Sequence, residues 1–158
     1  MIVRPLTTNE RAELPGFTHL IVITANDLTQ ATANTAQTFD TFALLPGDIV
    51  AKAIGVPVVP FQNTADAGFN SDTVSAGDTG SATRHTAATE ANANGTFLRV
   101  MGNTAFLYTA ADKLRITVNS MAAKSLVNIN RGEYHVFISL VRSDDVSRAV
   151  ARTQPTKA

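Results

Sequence analysis

Leu114, Ile116 and Val118 alternate with Lys113, Arg115, Thr117 and Asn119. A period of two over seven residues marks a strand with one face buried and the other wet. Tyr134, Val136, Ile138 and Leu140 repeat the pattern, with Glu133, His135 and Ser139 opposite. Phe137 and Val141 make that opposite face partly apolar, which predicts that it too is covered. Residues 18–24 are β-branched and apolar on both faces, as befits a strand inside a sandwich. Further strands are expected over 37–45, 49–59, 96–101 and 104–109, with shorter ones near 72–76 and 125–129. Pro46-Gly47, Gly102-Asn103 and Asn130-Arg131-Gly132 read as turns between them. Pro57 and Pro60 each lack a ladder donor, so the end of the 49–59 strand is placed at an edge. About eight strands at short spacing predict a sandwich or a barrel.

Helix is scarce. Thr7 and Glu10 have capping-box spacing, and Pro15-Gly16 stops that helix within two turns. Near the other end Ser143 is placed to cap a short helix with Asp144 and Asp145 in its first turn. Val146, Ala149 and Val150 fall on one face, Arg148 and Arg152 lie toward its C-terminus, and 153–158 reads as a tail. The expected organisation is an N-terminal arm over 1–17, a β-sandwich over 18–142, and a short helix and tail over 143–158. The stretch 62–95 differs from the rest: it is rich in Asn, Thr, Ala, Ser, Asp and Gly, and Phe69 and Val74 are its large apolar residues. It is expected to project as a loop over 77–95.

Composition narrows the function. The chain has 158 residues, and 13 Lys+Arg balance 13 Asp+Glu, which disfavours an electrostatic nucleic-acid binder. With no cysteine, disulfides, thiolate nucleophiles and Cys-ligated zinc are excluded. No apolar run approaches the ~20 residues that span a bilayer, and the N-terminus lacks a secretory apolar core. Charged residues are 16% against a typical ~25%, so little charge repulsion keeps copies apart. That surface suits a subunit covered by other subunits.

Few residues suggest chemistry. Asp78-Thr79-Gly80 matches the aspartic-protease tripeptide, but Ser75-Ala76-Gly77 is not the apolar strand such a motif needs, so a polar turn is the preferred reading. Asp66, Asn70, Asp72 and Asp78 are oxygen-bearing side chains without calcium-loop spacing. His19, His85 and His135 lack a metal-ligand spacing. Phe39, Phe42, Phe61, Phe97, Phe106 and Phe137 have no interleaved basic residues, so they read as core and not as a base-stacking platform. No catalytic, cofactor-binding or metal residue is assigned, and an enzyme is not expected.

The order of elements resembles a group of small bacteriophage virion proteins. The resemblance lies in the runs 44–50 (LLPGDIV), 56–61 (VPVVPF), 72–78 (DTVSAGD), 110–118 (AADKLRITV) and 131–137 (RGEYHVF), and covers about 18–142. It implies an all-β, jelly-roll-like antiparallel sandwich with short terminal helices or arms. It also implies a capsid decoration or cement protein on the virion, commonly a homotrimer, whose partners are itself and the major capsid protein, with no nucleic acid, membrane or cofactor. Residues 1–17 and 143–158 are then the segments expected to reach neighbours. The alternative is a tail, fibre or sugar-binding receptor module presented by the 62–95 loop.

Overall fold

The computed structural model describes residues 1–92, 105–144 and the backbone of 100–102. In chain order it has β1 (Ile2–Pro5), α1 (Thr8–Glu13), β2 (His19–Thr24), β3 (Gln37–Leu44), β4 (Ile49–Gln62), β5 (Thr73–Gly77) and β6 (Thr86–Glu90), then β7 (Val100–Gly102), β8 (Phe106–Leu107), β9 (Asp112–Asn119) and β10 (Arg131–Val141). One sheet has the order β1-β2-β10-β4-β7, with β8 also on β4. The other has the order β3-β9-β5-β6. Every pairing is antiparallel. From β2 to β5 the chain changes sheet at each step, and it does so again from β8 to β9 and from β9 to β10. The expected all-β sandwich is therefore present.

Register fixes which side chains face inward. Val136 lies opposite Ile21 on one side and Gly55 on the other, and Ile138 lies opposite Ala53. Tyr134, Val136, Ile138 and Leu140 thus join Ile21, Ile23 and Val50 against Leu114, Ile116, Val118 and Val74 of the second sheet. Phe61 is fully buried in this core, and Phe39, Phe42 and Phe106 pack on its rim, as the aromatic pattern anticipated. Phe97 lies outside the described residues.

The second face of β10 is covered, and the chain covers it itself. Leu6, Phe17, Leu20 and Val22 form a separate buried cluster against Leu14, Ile54 and Phe137. Each such side chain contributes roughly 1.5–3 kcal/mol when fully buried. The capping box forms as expected: Glu10 N–H donates to the Thr7 hydroxyl, and the Glu10 carboxylate accepts the Thr7 N–H at 2.8 Å. Arg4 grips the same carboxylate at 2.7 and 2.5 Å. The strand Ile2–Pro5 was not foreseen; it adds β1 to the sheet edge beside β2. Residues 1–17 therefore lie on their own sandwich.

Several local expectations are corrected. The 125–129 strand is a 3-10 turn over Leu126–Asn128, because Leu126 and Ile129, three apart, both reach the core from a tight turn. The 77–95 stretch does not project over its described part. Thr86–Glu90 is a strand paired with β5, and the 78–85 turn folds back over Gly77, where the backbone of Ser81 and Ala82 occupies the space a Cβ would need. Gly102 sits in β7 opposite Ala53 instead of in a turn. Arg131 and Gly132 open β10 after the 3-10 turn. Gly132 takes φ +150° directly against Phe61, which a side chain there would displace. The proline inference holds: among the described residues, the 56–62 half of β4 pairs with β10 alone, and Pro60 falls in a bulge between Val59 and Gln62. The expected strand over 96–99, the turn at Asn103 and the helix and tail beyond Asp144 lie outside the described residues.

Candidate functional site

Asp78 is where the protease-like tripeptide was read, and the structure makes it the pin of a turn. It is 2% exposed. Its Oδ1 accepts the N–H groups of Gly80 (3.0 Å) and Ser81 (2.8 Å). Its Oδ2 accepts the Tyr108 hydroxyl at 2.9 Å and the Arg84 Nε–H. Burial pushes this carboxyl upward, but the Arg84, Tyr108 and Ser81 donors outweigh it and hold the group below its ordinary value. Since Tyr108 donates to the carboxylate, it must accept from His85 Nε2–H, 2.7 Å away, which fixes the His85 tautomer. Burial holds His85 down to about 4, so it stays neutral. Thr79 extends the network by donating to Asp112 Oδ1 at 2.6 Å. Both oxygens of Asp78 are occupied, and among the described residues no second carboxylate shares a proton with it. The arrangement holds the 78–85 turn onto the β5–β9 surface.

The other candidates do not converge. Asp66 pairs with Lys124 at 2.5 Å and accepts the Gly68 N–H. Asp72 accepts the Asn92 side-chain N–H at 2.6 Å. His19 stacks near Phe42 on the inner side, His135 pairs with Glu133 on the outer side, and His85 lies in the Asp78 network. Among the described residues no group of three His, Cys, Asp or Glu could hold a metal ion. No described helix is long and apolar enough to cross a membrane.

A second buried carboxylate locks the neighbouring turn at the same end of the sandwich, where Tyr108 N–H donates to the Asp48 carbonyl at 2.9 Å. Asp48, in the Pro46-Gly47 turn, accepts the Leu45 and Ser143 N–H groups at 2.9 and 3.1 Å and Arg142 Nη1 at 2.6 Å. This ties the end of β10 to the β3–β4 turn. Sequence patterns missed both networks, since Asp78, Tyr108 and Arg142 are far apart along the chain. A turn Asp next to Gly was the one visible signal.

Geometry leaves two features on the surface. A cavity of about 290 Å³ is lined by Gln62, Asn63, Thr64, Asp66, Phe69 and Asn92, among others. Several of its polar side chains are committed to the neighbouring 124–130 segment: Asn63 donates to the Asn128 carbonyl, Thr64 accepts from Asn130, and Asp66 holds Lys124. The other feature is a row of apolar residues on the outward face of the first sheet. Leu107, Ile49 and Val141 stand directly opposite one another across β8, β4 and β10. Leu107 is 53% exposed and Val141 37%. Further along the same face, Ile2 is 56% exposed beside Val22. Exposed apolar residues are ordinary one at a time; a cross-strand row marks a surface suited to covering.

No family model matches the sequence, and no curated protein matches it. Solved structures do. A chain of the cyanophage Pam1 capsid asymmetric unit superposes with a TM-score of 0.51 at 22% identity, over 77% of this chain and 79% of that one. A chain of the acidic stable capsid structure of Helicobacter pylori bacteriophage KHP30 gives 0.47 at 14% identity, over 77% and 85%. The first likeness shows a common fold over most of both chains.

Proposed function

We propose that this chain is a structural protein of a bacteriophage virion, a decoration or cement protein that binds the head shell as a homo-oligomer, with the trimer as the leading state. The observation that carries this reading is the fold shared with the Pam1 capsid chain over more than three quarters of each. The strand orders β2-β10-β4-β7 and β3-β9-β5-β6 also support a jelly roll, the two-sheet form common in capsid proteins. Two further features fit: zero net charge with few charged residues, and apolar outward rows around Leu107 and Ile2. Binding assembled shells better than free subunits would stabilise the shell by mass action.

The alternative is a tail, fibre or receptor-binding module presented by the 62–95 loop; the pairing of Thr86–Glu90 with β5 and the 78–85 turn folded over Gly77 favour it less than the shell-binding reading. The test is size-exclusion chromatography with light scattering, followed by co-sedimentation with shells of the cognate major capsid protein. The expected result is an oligomer that binds shells. Leu107→Asp should weaken that assembly at least tenfold while leaving the melting temperature of the subunit nearly unchanged, since Leu107 lies outside the core. A monomer at high micromolar concentration with no affinity for shells would overturn the reading.

A further inference from the structure

At the β5–β6 end of the sandwich, Asp72 is fully buried on the core side, in line with Val74 and Ala76. Its Oδ1 accepts Asn92 Nδ2–H at 2.6 Å. Two atoms are left over: Asp72 Oδ2 and Asn92 Oδ1 are both buried and both without a hydrogen-bond partner. Both are acceptors when Asp72 is ionised, so neither can satisfy the other, and each would carry the full cost of an unpaired buried group. One proton removes both orphans. A carboxylic acid and a primary amide have complementary edges, each with one donor and one acceptor, and they close a ring of two hydrogen bonds. In that ring Asn92 Nδ2–H donates to Asp72 Oδ1, and Asp72 Oδ2–H donates to Asn92 Oδ1.

We propose that Asp72 is a neutral carboxylic acid in the folded chain, paired with the Asn92 amide as a two-bond clasp that opens when the proton leaves. The clasp closes on a strategic strap. Ala91 donates its N–H to the Asp72 carbonyl of the second sheet at 2.8 Å, and accepts the Phe61 N–H of the first sheet at 3.0 Å. Asp72 and Asn92 flank this one-residue bridge between the sheets. Opening the clasp would place a charge beside the bridge and beside the amide-lined cavity that Asn92 borders.

The surroundings favour the neutral form. Burial is the main influence and, with the Glu90 charge on β6, outweighs the lowering bonds from Asp72's own N–H and from Asn92, so Asp72 is pushed up to about 7. Asp66, in the turn across the cavity, is held by Lys124, while β4 and β9 bring Gln62 and Asn119, both uncharged. With the folded value above the unfolded one, this group's contribution is full below about pH 4 and is lost as pH rises through about 7. The clasp therefore tightens in acid, the reverse of the Asp78 and Asp48 pins.

The experiment uses the full chain. The Asp72 carboxyl is followed by carbon-13 NMR, and thermal melts are recorded by circular dichroism from about pH 4 to about pH 9, for the unmodified chain and Asp72→Asn. The expected titration midpoint is near 7, with a melting temperature that falls as pH rises through it. Asn at 72 presents an N–H where the acid presents its O–H, so Asp72→Asn should lose that pH step and melt several degrees higher than the unmodified chain at the alkaline end. An Asp72 carboxyl titrating near 4 overturns the proposal, whatever the variant does. So does a variant that melts below the unmodified chain at alkaline pH or keeps the same pH step.

Discussion

Replacing Asp78 by Asn tests whether a buried carboxylate, and not a hydrophobic contact, holds the 78–85 turn. The carboxylate serves four donors: Gly80, Ser81, Tyr108 and Arg84. Asn offers one acceptor oxygen. If it faces the Gly80 and Ser81 N–H groups, its NH₂ confronts the Tyr108 hydroxyl and Arg84. If it is turned over, the two backbone donors meet the NH₂ instead. In either orientation two donors lose their acceptor. Each net hydrogen bond is worth about 0.5–1.5 kcal/mol, and a buried unpaired hydroxyl such as that of Tyr108 costs about 1–3 kcal/mol. The Arg84 contribution is discounted, because its side chain is 29% exposed and recovers water. The sum is about 3 kcal/mol, and at about 2–4 °C per kcal/mol the melting temperature should fall by roughly 6–12 °C.

The assay is a thermal melt near neutral pH, with Tyr108→Phe and the double variant completing a cycle. The coupling between the two sites should be about 1 kcal/mol or more. Asp78 is held below its ordinary value, so its contribution is present above the unfolded value and is lost as pH falls through the folded one. The gap between the unmodified chain and Asp78→Asn should therefore close in acid. A fall of less than about 2 °C, or a gap independent of pH, would refute the pinning role.

Glu10 is held down to about 2, chiefly by Arg4 and then by the Thr7 N–H and hydroxyl, so Glu10→Gln should loosen the arm. The expected sign is severalfold faster hydrogen exchange at the Leu6 and Phe17 amides with little change at β9; unchanged arm exchange would rule it out. His85 should stay neutral down to about 4, and its contribution to stability, present above its ordinary 6.5, should be lost as pH falls through about 4. An NMR titration of His85 with a midpoint near 6.5 would contradict the buried Tyr108 network.

Much of the sandwich was legible because its strands are two-sided in a regular way. β9 and β10 announce their inner faces by alternation, and β2 by being apolar on both sides. What stayed hidden has a common cause: elements whose stability comes from elsewhere in the chain. Thr86–Glu90 (TAATE) has no large side chain to mark it, and it becomes a strand because β5 offers an open ladder edge. Ile2–Pro5 is too short to show a period, yet β2 pairs it over four residues. Leu126–Asn128 looked like strand because it is apolar, and the i, i+3 burial of Leu126 and Ile129 needs the core to be seen. The pins at Asp48 and Asp78 were half-visible. The turn Asp was readable from Gly47 and Gly80, but its distant partners Arg142 and Tyr108 were not.

The N-terminal arm shows how concentration decides between covering oneself and covering a neighbour. Sequence alternation said that the outer face of β10 needs a cover, and 1–17 was the segment expected to reach another subunit. The same arm is joined to β2 by a short connection, with Leu6 already bonded to Thr18. A short tether gives an effective concentration in the millimolar range, and lengthening it changes the closure cost only slowly. A neighbour's arm would have to compete at the free subunit concentration, orders of magnitude lower, for an identical surface. Self-docking of Leu6, Leu14 and Phe17 therefore prevails in the free chain. Among the described residues, the Leu107–Ile49–Val141 row on the same face is left partly exposed. Under the proposed function that row, together with the exposed Ile2 on the arm's β1, is the part of the first sheet available to a shell or to a second copy.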